Sequence, residues 1–64
     1  MVLNGVEKAL MGNCSVEELL VQEGFRMERV AVELNGEILP KASYATTFLS
    51  EADKLEVVSF VGGG

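Results

Sequence analysis

The chain has 64 residues, with ten Asp and Glu against five Lys and Arg and a formal net charge of −5. That length admits one small domain with a limited core, since a chain of this size buries only about 60% of the surface its unfolded form exposes. The acidic balance argues against nucleic acid and anionic membrane surfaces as partners, and a chain with no histidine and one cysteine, Cys14, argues against a zinc centre or a disulfide framework.

The lone cysteine fits a reducing compartment. The N-terminus lacks the charged region and apolar run of a signal peptide. No stretch of about 18 apolar residues is present to span a membrane. Together these features predict a cytoplasmic protein.

In chain order, Met1-Val2-Leu3 reads as a short strand ending at Asn4-Gly5. Asn-Gly supports positive φ at both central positions of a type I′ turn, so Val6 to Met11 is expected to be the returning strand, ended by Gly12-Asn13. Ser15-Val16-Glu17-Glu18 has the form of a capping box, in which Ser15 accepts from the Glu18 backbone N–H and Glu18 reaches back. Val16, Leu19 and Leu20 follow at i, i+3 and i+4, and Glu17 and Glu18 suit the positive end of the helix dipole. Gly24 is placed to stop the helix in the left-handed region, with Phe25 folding back on its last turn. The spacing predicts a helix over about 16–23.

The period then changes to two. Val30, Val32 and Leu34 alternate with Ala31 and Glu33, as in a half-buried strand. Asn35-Gly36 is a second hairpin turn into Glu37-Ile38-Leu39, which Pro40 ends because it has no N–H for a ladder. Residues 41–53 are expected to form an irregular connection pinned to the core by Tyr44, Phe48 and Leu49, with a turn at Glu51-Ala52-Asp53. Leu55 to Val61 is a strong closing strand. Period two puts Leu55, Val57 and Ser59 on one face and Glu56, Val58 and Phe60 on the other. The face with Glu56 is expected to meet solvent, leaving Val58 and Phe60 as exposed apolar residues. Strands around one helix suggest an α+β domain with the helix on one face of a mixed sheet of four to five strands.

The N-terminal N-G hairpin, S-V-E-E-L-L, V-A-V-E-L-N-G-E-I-L-P-K and the final L-E-V-V-S-F-V-G-G-G, in this order and over nearly the whole chain, resemble the sulfur-carrier family of thiamin biosynthesis (ThiS). This family is related to the small subunit of molybdopterin synthase. The most specific parts are Val30 to Pro40 and the V-G-G-G end. The resemblance implies a ubiquitin-like β-grasp fold, with residues 1–61 as the domain and 62–64 as a flexible glycine tail. Three departures stand out. The first strand is short, Ala52 sits where the family commonly has glycine in an acidic turn, and Tyr44 stands where tryptophan is common. If position 52 needs positive φ, alanine strains it by roughly 1–2 kcal/mol.

The resemblance also implies a function. Gly64 is the reacting residue: a ThiF-like enzyme uses ATP to adenylate its carboxylate, and a persulfide sulfur displaces AMP to leave a thiocarboxylate. The sulfur comes from a donor such as a cysteine desulfurase or a persulfide relay. Thiazole synthase receives it and builds the thiazole ring. Other members of the wider group serve molybdopterin synthesis, tRNA thiolation or protein conjugation, and these recipients stay open, as does a β-grasp interaction module with an inert tail.

The residue types suit this chemistry. A carboxylate acylates poorly until a good leaving group is attached, and a tail of Gly62, Gly63 and Gly64 lacks Cβ atoms, so it can thread a narrow channel into a partner's active site. Val58, Phe60 and Val61 beside it form the expected partner interface. No residues of the chain's own are expected to be catalytic, and no cofactor or metal is expected to be bound. Cys14 precedes the helix, where a thiol's pKa can fall, but Glu17 and Glu18 oppose that. The other acidic residues are spread along the chain and read as a solvated surface.

Overall fold

The structure, a computed structural model, describes residues 1–10 and 12–60. Asn4 has φ 49° and Gly5 φ 82°, the two positive values of a type I′ turn. They join β1 (Val2–Leu3) to an antiparallel β2 (Val6–Glu7). The returning strand is therefore two residues long, not the six expected over Val6 to Met11, and Met11 lies outside the described residues. The reason is the partner's length. β1 covers two residues, and the pairing ends just beyond it, with Lys8 N–H donating to the Met1 carbonyl at 2.8 Å.

The helix α1 (Val16–Gln22) is capped as its sequence predicts. Glu18 N–H donates to Ser15 Oγ at 3.0 Å, and Ser15 N–H donates to Glu18 Oε1 at 2.9 Å. At the other end Gly24 has φ 83°. Phe25 N–H donates to the Leu20 carbonyl and Gly24 N–H to that of Val21, the paired bonds of a Schellman motif. Val16, Leu19 and Leu20 are buried, one stripe of the helix, while Val21 is exposed.

A single 3-10 turn at Met27–Arg29, which periodicity does not signal, leads into β3 (Val30–Leu34). Asn35 and Gly36 (φ 53° and 85°) turn the chain into β4 (Glu37–Leu39). After Pro40 a second 3-10 turn, Lys41–Ser43, opens the irregular connection. Tyr44 and Leu49 are buried and pin it. Phe48 does not: it is 57% exposed, and only its backbone contributes, as an isolated bridge to Ser15. Ala52 does not occupy the left-handed region, since Asn4 and Asn35 are the non-glycine residues with positive φ among those described. The strain expected there is absent. Asp53 shapes the turn instead, its Oδ2 accepting from Ser50 N–H at 2.8 Å.

The closing strand, β5 (Lys54–Ser59), begins one residue earlier than expected and ends at Ser59. The sheet has five strands in the order β2-β1-β5-β3-β4. β5 is parallel to β1, and β3 runs antiparallel to both β5 and β4. Met1, Leu3, Val30, Val32, Leu55 and Val57 meet the helix stripe on one face. Leu20 and Leu55 are fully buried, each worth about 1.5–3 kcal/mol relative to exposure. The alternation of β5 falls as expected: Leu55 and Val57 point into the core, while Glu56, Val58 and Phe60 face out.

Candidate functional site

The candidate site is the outer face of the sheet where β5 runs toward the glycines. Val58 and Phe60 are exposed by 59% and 60%, as the sequence predicts. Val61, Gly62, Gly63 and Gly64 lie outside the described residues.

Backbone pairing holds β5 up to this point. On one side the register runs from Leu34 opposite Leu55 to Val30 opposite Ser59, and Phe60 N–H donates to the Arg29 carbonyl at 2.7 Å. On the other side β1 reaches only Lys54 and Leu55. There the Asn4 side chain takes over, pairing with both backbone groups of Val57. The strand is thus fixed on two sides through Val57 and on one side through Phe60.

Sequence reasoning missed two parts of this face. Among the described residues Ile38 is the most exposed large apolar one, at 79%. It stands opposite Glu33 in the β3–β4 register. Alternation along Glu37-Ile38-Leu39 could have shown it, because Leu39 packs against the core and Ile38 must then point away. The second is the pair Glu33 and Glu56, directly opposite each other on β3 and β5. With Asn4, Ala31, Ile38 and Val58 they line a shallow depression of about 410 Å³. No periodicity reveals that pair, since it depends on register between strands 20 residues apart.

The cysteine is elsewhere. Cys14 is buried below the helix start, and burial, with the Glu18 carboxylate second, raises its thiol pKa. A thiol held protonated in this way is a poor nucleophile. Among the described residues no group of three or more His, Cys, Asp or Glu comes together to hold a metal ion. No helix among them is long and apolar enough to cross a membrane.

Comparison with known proteins supplies the family. The ThiS family matches residues 1–64. A thiazole synthase of Paramagnetospirillum magneticum is 47% identical over 64 residues, covering 100% of this chain but 20% of that protein. The chain therefore spans about a fifth of the length of that relative. The sulfur carrier protein ThiS of Bacillus subtilis is 38% identical over 50 residues, covering 78% of this chain and 76% of that one. The crystal structure of the thiamine biosynthesis protein ThiS from Geobacter metallireducens superposes with a TM-score of 0.79 at 35% identity, covering 98% of this chain and 96% of that one. The five-stranded mixed sheet with one helix is accordingly the ubiquitin-like β-grasp fold that the resemblance implied. On its sequence and its fold, the chain belongs to the ThiS family.

Proposed function

We propose that this chain is a sulfur carrier for thiazole formation in thiamin biosynthesis, with the Gly64 carboxylate as the group that is loaded. The observation that carries this reading is the family match over residues 1–64, a span that includes the V-G-G-G segment. The relative named a sulfur carrier protein and the relative named a thiazole synthase both support it.

The chemistry runs in balanced steps. The carboxylate attacks the α-phosphate of ATP in an adenylating enzyme, pyrophosphate leaves, and an acyl-adenylate forms. The terminal sulfur of a persulfide displaces AMP to give an acyl disulfide, whose S–S bond a thiol then cleaves to leave the thiocarboxylate. The synthase takes that sulfur into the thiazole ring. ATP and the sulfur donor belong to the partners, and the chain contributes a substrate rather than catalytic groups.

The body of the domain contributes position. Val58 and Phe60 offer an apolar contact, and the hydrogen bond from Phe60 N–H to the Arg29 carbonyl fixes where the chain leaves the sheet. Beyond it, Val61 extends the contact and Gly62 and Gly63 carry the carboxylate into a channel that a Cβ would obstruct. A cytoplasmic location belongs to this same reading.

Intact mass spectrometry tests the reading. The chain is incubated with ATP, a persulfide donor and the adenylating enzyme of its own genome. The expected result is an adenylate followed by exchange of one oxygen for sulfur. A chain that keeps its starting mass with an enzyme active on another carrier overturns it. Supplying thiazole synthase with the loaded protein then tests the recipient.

A further inference from the structure

The two edges of β5 end at different places. Backbone groups along a strand point alternately to its two sides. Phe60 N–H bonds the Arg29 carbonyl and the Lys54 carbonyl bonds Asn35 N–H, so Lys54, Glu56, Val58 and Phe60 pair toward β3. Leu55, Val57 and Ser59 point their backbone groups to the side of β1. There the Leu55 carbonyl accepts from Asn4 N–H at 2.9 Å, and both backbone groups of Val57 bond the Asn4 side chain. Ser59 is next in this phase, beyond the reach of β1 and of Asn4. It stands opposite Val30, but in the phase of the pairing that exchanges no hydrogen bonds. Among the described residues its N–H and carbonyl therefore have no partner.

An open stretch of strand backbone suits one kind of neighbour, another extended backbone that adds to the sheet by ladder bonds. The residues that follow have the same requirement. Gly62, Gly63 and Gly64 have no side chains, so an enzyme that binds them by more than fit has only N–H and C=O groups to use. The bond from Phe60 N–H to the Arg29 carbonyl at 2.7 Å already fixes the direction of Ser59, so a ladder starting there adds little ordering cost. The outer edges of the sheet lack this relation to the glycines, since β1 separates β2 from β5 and β3 separates β4 from it.

Resting on the carrier function proposed above, we propose that the Ser59 N–H and carbonyl form the first rung of a ladder with an extended segment of thiazole synthase, laid beside β5 on the line of β1. The choice of the synthase over the adenylating enzyme rests on two relatives named thiazole synthase, which carry a stretch like this chain as 20% and 19% of one polypeptide. The rung gives the carrier a register. A slip of two residues, the smallest that keeps the phase of the ladder, moves the Gly64 carboxylate by about 6.6 Å, out of reach of a substrate held in place. Recognition of a tail without side chains thus comes from where its backbone pairing begins.

Backbone ester substitution in the full-length chain, made by chemical synthesis, tests this, because it replaces one N–H with oxygen and keeps every side chain. One variant has the ester at the Val58–Ser59 bond. The control has it at Glu37–Ile38, where the Ile38 N–H points away from β3 at the outer edge of β4. Each ester also weakens one internal acceptor, the Val58 carbonyl toward Ala31 or the Glu37 carbonyl toward Leu34, so both should melt slightly and similarly below the wild type. Affinity for thiazole synthase is measured by calorimetry, and sulfur delivery by the loaded chains as a function of carrier concentration. The Ser59 ester should raise Kd and the KM for delivery by about threefold to tenfold, as for one lost hydrogen bond, while the Ile38 ester matches the wild type. In the wild-type chain, amide exchange at Ser59 should slow when the synthase binds, and that at Ile38 should not. Equal affinities of the two esters, or a Ser59 amide that exchanges as fast in the complex as in the free chain, overturn the ladder and leave the carrier function standing. A Ser59 ester impaired only toward the adenylating enzyme overturns the choice of the synthase. A wild-type chain that is neither loaded nor able to deliver sulfur overturns the carrier function and the ladder with it.

Discussion

The Asn4 side chain bonds Val57 as a strand residue would: Oδ1 accepts from the Val57 N–H at 2.7 Å, and Nδ2 donates to the Val57 carbonyl at 3.3 Å. One side-chain amide thus stands in for the residue that the short β1 lacks. Because Asn4 also has φ 49°, it serves the turn and the sheet together. Asn4→Gly keeps the backbone free to adopt the turn and removes the side-chain bonds, so it isolates the second role. It should destabilise the domain by about 1–2 kcal/mol. Chemical denaturation reads the loss, and amide exchange should quicken at Val57 before the rest of β5.

Ser15 is buried and holds the first turn of α1 through its bond from Glu18 N–H. Ser15→Ala removes that acceptor and leaves the Glu18 N–H without its capping partner. A loss of about 0.5–2 kcal/mol is expected, seen as a lower melting temperature with the same denaturant slope.

Asp53 receives the Asn35 amide at 3.0 Å and the Ser50 N–H at 2.8 Å. These bonds, the Asn35 bond first, hold its carboxyl pKa below the usual range. A depressed folded-state pKa stabilises the fold above the unfolded value of about 3.9, and that contribution is lost as pH falls through the folded value. Asp53→Asn should therefore lower the melting temperature at neutral pH, with the difference from wild type shrinking below about pH 4. A difference that stays constant down to strongly acidic pH would show that the bonds matter without the charge.

Ala52 occupies a position where the resemblance raised the prospect of strain, yet its backbone is not left-handed. Ala52→Gly should consequently destabilise, by about 0.4–1 kcal/mol, because glycine adds freedom to the unfolded chain without relieving anything in the folded one. A stabilised variant would show that the turn favours positive φ after all.

Loading should depend on one carboxylate. Removing Gly64, or adding a residue after it, is expected to abolish thiocarboxylate formation in the intact-mass assay while the melting temperature stays within about 1 °C of wild type, since a terminal residue adds little to a core. Loading that survives the deletion would place the reacting group elsewhere.

How much of this was legible in the sequence follows the range of each interaction. The helix and its caps were readable because Ser15, Glu18, Gly24 and Phe25 act within a few residues of each other. The two Asn-Gly turns were readable for the same reason. Val58 and Phe60 were placed correctly, since alternation within one strand decides which way they point. The short β2 was missed because its length follows that of its partner β1, which is two residues long. Phe48 was misassigned to the core because hydrophobicity alone does not tell a side chain that packs from one whose backbone pairs. Asn4 with Val57, and Glu33 with Glu56, depend on register between distant segments and leave no local trace. The glycine tail owes its reading to family likeness and to the chemistry of a carboxylate.

The position of β5 in the sheet has a consequence for how the domain holds together. The strand nearest the C-terminus is the central one, with β1 on one flank and β3 on the other. Without residues 54–59 the N-terminal hairpin and the β3–β4 hairpin have no strand between them. The two halves of the sheet are therefore joined through β5, and removing residues 54–59 should leave no continuous sheet.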